Sequence, residues 1–173
     1  PDLLGQEMAE AVLAARRGQV ATLIVPYDLQ LEPCRPGVIT PRPERREPVS
    51  PGTLEMAAAL LREGGKTALL LGGEGLGRTG LMNAARIRRA CGCDLLAEGR
   101  PARVERGAGL PDAKRIPYLP EAGIEMLAPY GAFVFAGAEE PVSFFGYAGV
   151  PGKLIPEDRK KIPLAGRGDD LAA

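Results

Sequence analysis

Between residues 66 and 80 the chain reads Lys-Thr-Ala-Leu-Leu-Leu-Gly-Gly-Glu-Gly-Leu-Gly-Arg-Thr-Gly. This pattern of an apolar strand, a glycine turn and a helix could hold a phosphate. Glycine lets the backbone turn tightly and approach a ligand closely. A following helix presents unpaired N–H groups and the positive end of its dipole. Three readings stay open. Gly75-Leu76-Gly77-Arg78-Thr79-Gly80 matches the dinucleotide pattern G-x-G-x-x-G, and Glu98 follows at the end of the next strand. That match starts several residues after the strand ends, where a dinucleotide fingerprint starts at once. Gly72 through Thr79 has the spacing of a P-loop, but Arg78 stands where the phosphate-binding Lys is required. The contact to the outer phosphates is then missing, which argues against nucleotide hydrolysis. In the third reading the glycines are purely structural. Glu74 inside the loop is unfavourable beside a phosphate unless it points away, and reads as a solvated acid.

Little else in the chain can do chemistry. Histidine is absent, which removes the commonest general base and the commonest metal ligand together. The cysteines are Cys34, Cys91 and Cys93; their number is odd, and Cys91-Gly92-Cys93 is too tight for a Cys-x-x-Cys redox or zinc pair. They read as reduced thiols of a cytoplasmic protein. No catalytic residue and no metal ligand is nominated. The 22 basic and 22 acidic residues cancel, so no field of one sign favours nucleic acid or an anionic membrane. Arg86, Arg88 and Arg89 read as a solvated helix flank. With no Trp and 5% aromatic residues, platforms for base stacking are not expected. No apolar run reaches the roughly 18 residues of a membrane span, and no signal peptide is expected. Opening at Pro1 rather than Met is compatible with a segment of something longer.

The elements that must position the glycine loop fall into zones. In residues 1–33, Met8, Ala11, Val12 and Ala15 recur at helical spacing, with Gly18 as a stop. Residues 20–25 are continuously apolar and closed by Pro26, as in a buried parallel strand. One helix and one strand do not make a domain; they read as the end of one, or as a unit that docks on another sheet. Residues 34–49 carry Pro36, Pro41, Pro43 and Pro48 among arginines and read as a semi-extended linker. Residues 50–158 hold the main fold. Ser50 caps a helix with Pro51 at its first position and Leu54, Ala57, Ala58 and Leu61 as its stripe. A strand over 66–71, the loop, a helix over 80–90 with Met82, Ala85 and Ile87 inward, and a strand over 94–97 follow. A helix over 120–127, a buried strand over 132–136 and an edge strand over 153–155 complete the pattern. Residues 99–117 are irregular, and residues 156–173 read as loose, with 159–173 a tail or the start of a further linker. Strands alternating with helices predict an α/β fold: an open parallel sheet with helices on both faces and right-handed crossovers.

Two stretches are similar to a known family. Gly18-Gln19-Val20-Ala21-Thr22-Leu23-Ile24-Val25-Pro26-Tyr27-Asp28-Leu29-Gln30 resembles the close of the pyrimidine-binding domain of thiamine-diphosphate enzymes, where a strand leads to a Pro-x-Asp-x-Gln turn. Residues 66–93 resemble the first strand, Gly-Gly loop and helix of their central domain. Ala132-Phe133-Val134-Phe135-Ala136-Gly137-Ala138 is similar to its later strand, and Phe144-Phe145-Gly146-Tyr147 and Lys153-Leu154-Ile155-Pro156 resemble acetolactate-synthase large-subunit homologues. The resemblance implies a Rossmann-like central domain of the flavin/nicotinamide-binding type. It implies FAD or ADP beside Gly72, Gly73 and Gly75, with Gly137 and Ala138 across the crevice. Flavin-binding members commonly carry an Arg just after that second Gly-Ala; Glu139 and Glu140 stand there in this chain. The family's cofactor-activating Glu and its Gly-Asp-Gly…Asn motif for diphosphate and Mg²⁺ are not found here. The resemblance therefore implies a scaffold between flanking thiamine-diphosphate-binding domains of a homo-oligomeric 2-oxo acid carboligase or decarboxylase, not catalytic alone. A free-standing dinucleotide- or ADP-binding module is the alternative.

Overall fold

The computed structural model describes residues 2–16, 19–33, 39–41, 46–63, 65–166 and 169–171. Contacts divide the chain into two units, Pro1–Arg46 and Glu47–Ala173. Cys34, Gly18 and most of the expected linker lie outside the described residues.

In the first unit, helix α1 (Leu4–Arg16) forms where the apolar spacing predicts it. The expected strand over 20–25 does not form: Val20 is 98% and Ile24 83% exposed. A strand has no hydrogen bonds of its own, so without a neighbouring ladder this apolar segment stays irregular and solvated. Pro26 then starts a single helical turn, α2 (Tyr27–Gln30), in which the Gln30 side-chain amide donates back to the Val25 carbonyl at 2.9 Å.

The second unit is built on a five-stranded sheet: β1 (Thr67–Leu71), β2 (Asp94–Ala97), β3 (Lys114–Arg115), β4 (Ala132–Ala136) and β5 (Lys160–Ala165). Their spatial order is β3-β2-β1-β4-β5, and every pairing is parallel. Strand β1 lies at the centre and is buried along its whole length. Its residues alternate between two cores, as a sheet covered on both faces requires. Leu69 and Leu71 pack with Ala57, Leu60 and Leu61 of helix α3 (Pro51–Arg62) and with Leu81 and Ala84 of helix α4 (Arg78–Cys91). Ala68 and Leu70 pack with Phe133, Phe135 and Leu127 of helix α5 (Pro120–Leu127). The sheet is therefore the open, parallel, doubly covered kind that the alternation of elements predicts.

Ser50 caps α3 as expected, accepting from the Thr53 amide at 3.2 Å, with Pro51 at the first position. Ala57, Leu61 and Ile87 pack inward as the sequence reading has them, whereas Leu54 and Met82 do not. Leu54 is exposed while Leu60 is buried, and Leu81 and Ala84 turn inward on α4 where Met82, 45% exposed, turns out. The α4 helix starts at Arg78, two positions ahead of the expected start.

The expected edge strand over 153–155 is corrected as well. Lys153 makes an isolated antiparallel bridge to Val142, and Leu154 and Ile155 are buried against the α5 side of the sheet. The true edge strand is β5, within residues expected to be loose. Its Pro163 cannot donate a ladder bond, but on an edge strand that costs nothing on the solvent side. The mismatch shows as a register irregularity opposite Phe135 and Ala136.

The amino ends of the strands carry a polar cluster. Tyr130, 3% exposed, donates its hydroxyl to Asp94 at 2.7 Å, and Lys66 lies 4.7 Å over the Tyr130 ring. Burial, then the Asp94 hydrogen bond, push the Tyr130 phenol above its ordinary 10.0. Burial, then the neighbouring Cys91 thiol, push the Cys93 thiol from 9.0 up to about 12. Both groups are favoured in their protonated forms by folding. The stability they contribute is thus complete below the ordinary thiol value and is lost as pH rises towards the folded one. The thermal midpoint is expected to fall more steeply between roughly pH 9 and 11 in the wild type than in Cys93→Ala or Tyr130→Phe. Melting curves followed by circular dichroism across that range check it; parallel slopes would refute it.

Candidate functional site

The order of the sheet puts its reversal between β1 and β4, from which the chain runs outward on either side. In open α/β sheets ligands bind at the carboxyl ends of the strands flanking such a point. Gly72 follows β1 and Gly137 follows β4, so the topology brings together the site residues that the sequence nominates.

It brings them into direct contact. The Gly72 amide donates to the Ala136 carbonyl at 3.0 Å, and the Gly137 amide donates to Ala165 of β5 at 2.8 Å, so the ladders continue past the strand ends. A Cβ placed on Gly72 would lie 2.5 Å from the Gly137 carbonyl oxygen and 2.7 Å from Ala138 Cα. A Cβ on Gly137 would lie 2.5 Å from the Gly72 carbonyl oxygen. Ala138 is buried in the α5-side core at 7% exposure.

Past Gly72 the chain makes a short 3-10 turn over Gly73–Leu76 and enters α4. The turn lies on the end of β4: a Cβ on Gly75 would meet the Ala136 carbonyl oxygen at 2.9 Å. Gly80 of α4 in turn packs on Gly75, with 2.6 Å from its would-be Cβ to the Gly75 Cα. Gly73 has φ +49 and is exposed. Its amide donates to Glu98 Oε1 at 3.2 Å. Glu98 is held in turn by the sheet, because its own amide donates to the Leu71 carbonyl at 3.0 Å. Glu105 reaches the start of α4, with its Oε1 3.8 Å from the would-be Cβ of Gly77, and Arg103 pairs with it at 3.3 Å.

Beside the loop, on the α5 side, a cavity of about 410 Å³ opens at the carboxyl ends of the strands. Glu98, Arg100, Tyr118, Glu139, Ser143 and Phe144 are among its lining residues. The Arg100 guanidinium lies 4.1 Å over the Phe144 ring, and Tyr118 and Phe144 rings are 5.4 Å apart. Arg100 comes from the stretch 99–117 that sequence reading leaves irregular and Tyr118 follows directly on it, where no periodicity marks them. Phe144 lines the cavity as well.

The two acids after Gly137-Ala138 differ. Glu139 is exposed at the cavity. Glu140 is 25% exposed and neutralised, with Lys161 of β5 at 2.7 Å and Lys153 at 3.6 Å. Lys153 also binds Glu157 at 2.8 Å, which holds the Glu157 carboxyl below its ordinary range. Lys161 escapes sequence reading because it falls in the segment expected to be loose.

Among the described residues no group of three or more potential metal-ligating side chains stands together, and no helix is long and apolar enough to cross a membrane.

Comparison with known proteins gives one informative likeness. The chain is 37% identical over 175 residues to a Mycobacterium tuberculosis protein named "Putative acetolactate synthase large subunit IlvX". The likeness takes in 98% of this chain but 33% of that protein, so the chain spans about a third of the length of its curated relative. No protein-family profile matches the chain, and no solved structure matches it at a significant level.

Proposed function

We propose that residues 50–158 are the central scaffold domain of a thiamine-diphosphate-dependent 2-oxo acid carboligase or decarboxylase of the acetolactate-synthase type. In this reading residues 1–33 are the end of the preceding pyrimidine-binding domain, 34–49 the linker, and 159–173 the approach to the next domain. The observation that carries it is the likeness along nearly the whole chain to one third of an acetolactate-synthase-like protein. The five-stranded parallel sheet is consistent with it. So is the exposed apolar run at Val20 and Ile24, which has the composition of a strand awaiting a sheet.

Thiamine diphosphate, when bound, supplies a carbanion that attacks the 2-oxo carbon. The residues here do not fit that group: no Gly-Asp-Gly with a following Asn and no metal-ligating cluster among the described residues offers it a seat. No step of the reaction is assigned to this chain. Its contribution is rigidity. A sheet buried on both faces, with its strand ends locked together, is a stiff spacer that keeps two flanking cofactor-holding domains at a fixed separation. The working protein in this reading is a cytoplasmic homo-oligomer.

The test is an assay of the complete reading frame, expressed with thiamine diphosphate and Mg²⁺, for CO₂ release from pyruvate and acetolactate formation. Turnover by the complete protein and none by residues 1–173 alone are expected. Flanking sequence without the diphosphate motif, or turnover by this chain alone, would refute the reading.

A further inference from the structure

We infer that Glu98 does from within the chain what a bound phosphate does in a nucleotide-binding glycine loop, and that this domain consequently takes no dinucleotide diphosphate on its glycine turn. The inference deepens the scaffold reading and rests on the loop geometry. An anion seat of this kind needs two things: free amides at the turn and room for a phosphate between the turn and the opposite strand exit. Neither is present.

The amide that points out of the turn, Gly73, is already spent on the Glu98 carboxylate. Glu98 is anchored through its backbone. It sits at the end of β2, one residue beyond Ala97, with its backbone bonded to Leu71 of the central strand. The gap between the turn and the opposite strand exit is closed as well. Gly72 and Gly137 approach so closely that even a methyl group on either would run into the other's carbonyl. The glycines at 72, 75, 80 and 137 are thereby all explained by backbone packed on backbone, with no cradle left over.

Charge points the same way. A diphosphate entering here would meet Glu98 at Gly73, Glu105 near Gly77 and Glu139 at the adjoining cavity. Of the nearby arginines, Arg103 pairs with Glu105 and Arg100 lies on Phe144. Like charges at contact range cost far more than a single turn amide returns. In nucleotide-binding sheets an acid at this position faces the ribose, whereas here it has turned onto the turn itself.

The complete protein, purified without added nucleotide, tests the inference by calorimetric titration with ADP and FAD and by thermal melting. The wild type is expected to give flat titrations with both up to millimolar concentration. Glu98→Gln keeps a carbonyl acceptor for Gly73 and is expected to melt within a degree or two of the wild type. Glu98→Ala removes the acceptor and is expected to melt several degrees lower. Saturable one-to-one binding of either nucleotide by the wild type would overturn the inference. So would a Glu98→Ala protein that melts like the wild type. These readouts are independent of pyruvate turnover, so their failure leaves the scaffold reading standing, and the reverse.

Discussion

Gly137→Ala is expected to destabilise the sheet domain by about 2–5 kcal/mol. Two costs combine. Gly137 has φ +71, a left-handed conformation that costs a residue with a Cβ about 1–2 kcal/mol. The new Cβ would also lie 2.5 Å from the Gly72 carbonyl oxygen and 2.6 Å from Leu171 Cδ1. Leu171 can swing aside; Gly72 cannot, because its amide is tied to Ala136 and it leaves the central strand of the sheet. Forcing a methyl group into such a contact costs about 1–3 kcal/mol. Set against a typical domain stability of about 5–15 kcal/mol, the loss is large. It corresponds to a fall of more than about 8 °C in the melting midpoint. Gly52→Ala is the matching control: nothing lies within 4 Å of its would-be Cβ, and it sits in α3. There the same methyl group is expected to be neutral or to stabilise by about 0.5–1 kcal/mol. Circular-dichroism melts of the two variants check both signs. A Gly137→Ala protein that melts with the wild type would mean that the strand ends stand apart in solution, with a crevice between them.

Gly137 also shows how far the sequence could be read. A strand ending in Gly-Ala is visible in the chain, and the exit of β1 into Gly72-Gly73 is equally plain. Strands β1, β2 and β4 are legible because each is a short apolar run buried on both faces and bounded by glycine or proline. What is not legible is that the two glycine exits meet. Their separation is set by pairing between β1 and β4, which lie far apart in sequence, and no local pattern encodes it. Glu98 was visible as the acid after β2, yet whether it faces a ribose or its own turn depends on the same closure. Strand β5 was hidden for a different reason. Lys160, Lys161 and Pro163 read as solvent and breaker, and become strand because an edge position leaves one side of the ladder unpaired and lets the lysines reach Glu63 and Glu140. The failure at residues 20–25 is the converse. Local composition favours a strand, but a strand is a relation between segments, and no ladder partner stands beside it among the described residues.

Phe133→Ala is expected to cost about 3–5 kcal/mol, the largest loss from any truncation on the α5 side of the sheet. Phe133 is fully buried on β4, and that strand is paired on both sides, so the backbone cannot collapse into the space vacated by the ring. Its ring lies 5.8 Å from Tyr130 and stacks with Phe135 at 6.5 Å. Removing it also loosens the wall that buries Tyr130, so part of the alkaline sensitivity should disappear with it. Phe144→Ala provides the contrast. Phe144 is half exposed at the rim of the cavity and its contact with Arg100 is worth about 0.5–1 kcal/mol at such a site. Urea titrations of the two variants should therefore separate by about 2 kcal/mol or more, with the dependence on denaturant unchanged if the denatured state is unaltered. Equal losses would mean that the rim aromatics belong to the core and that the cavity beside the glycine turn closes over them. A large loss at Phe133 alone means that the stiffness of the domain resides in the sheet, with the cavity rim free to vary without cost to the fold.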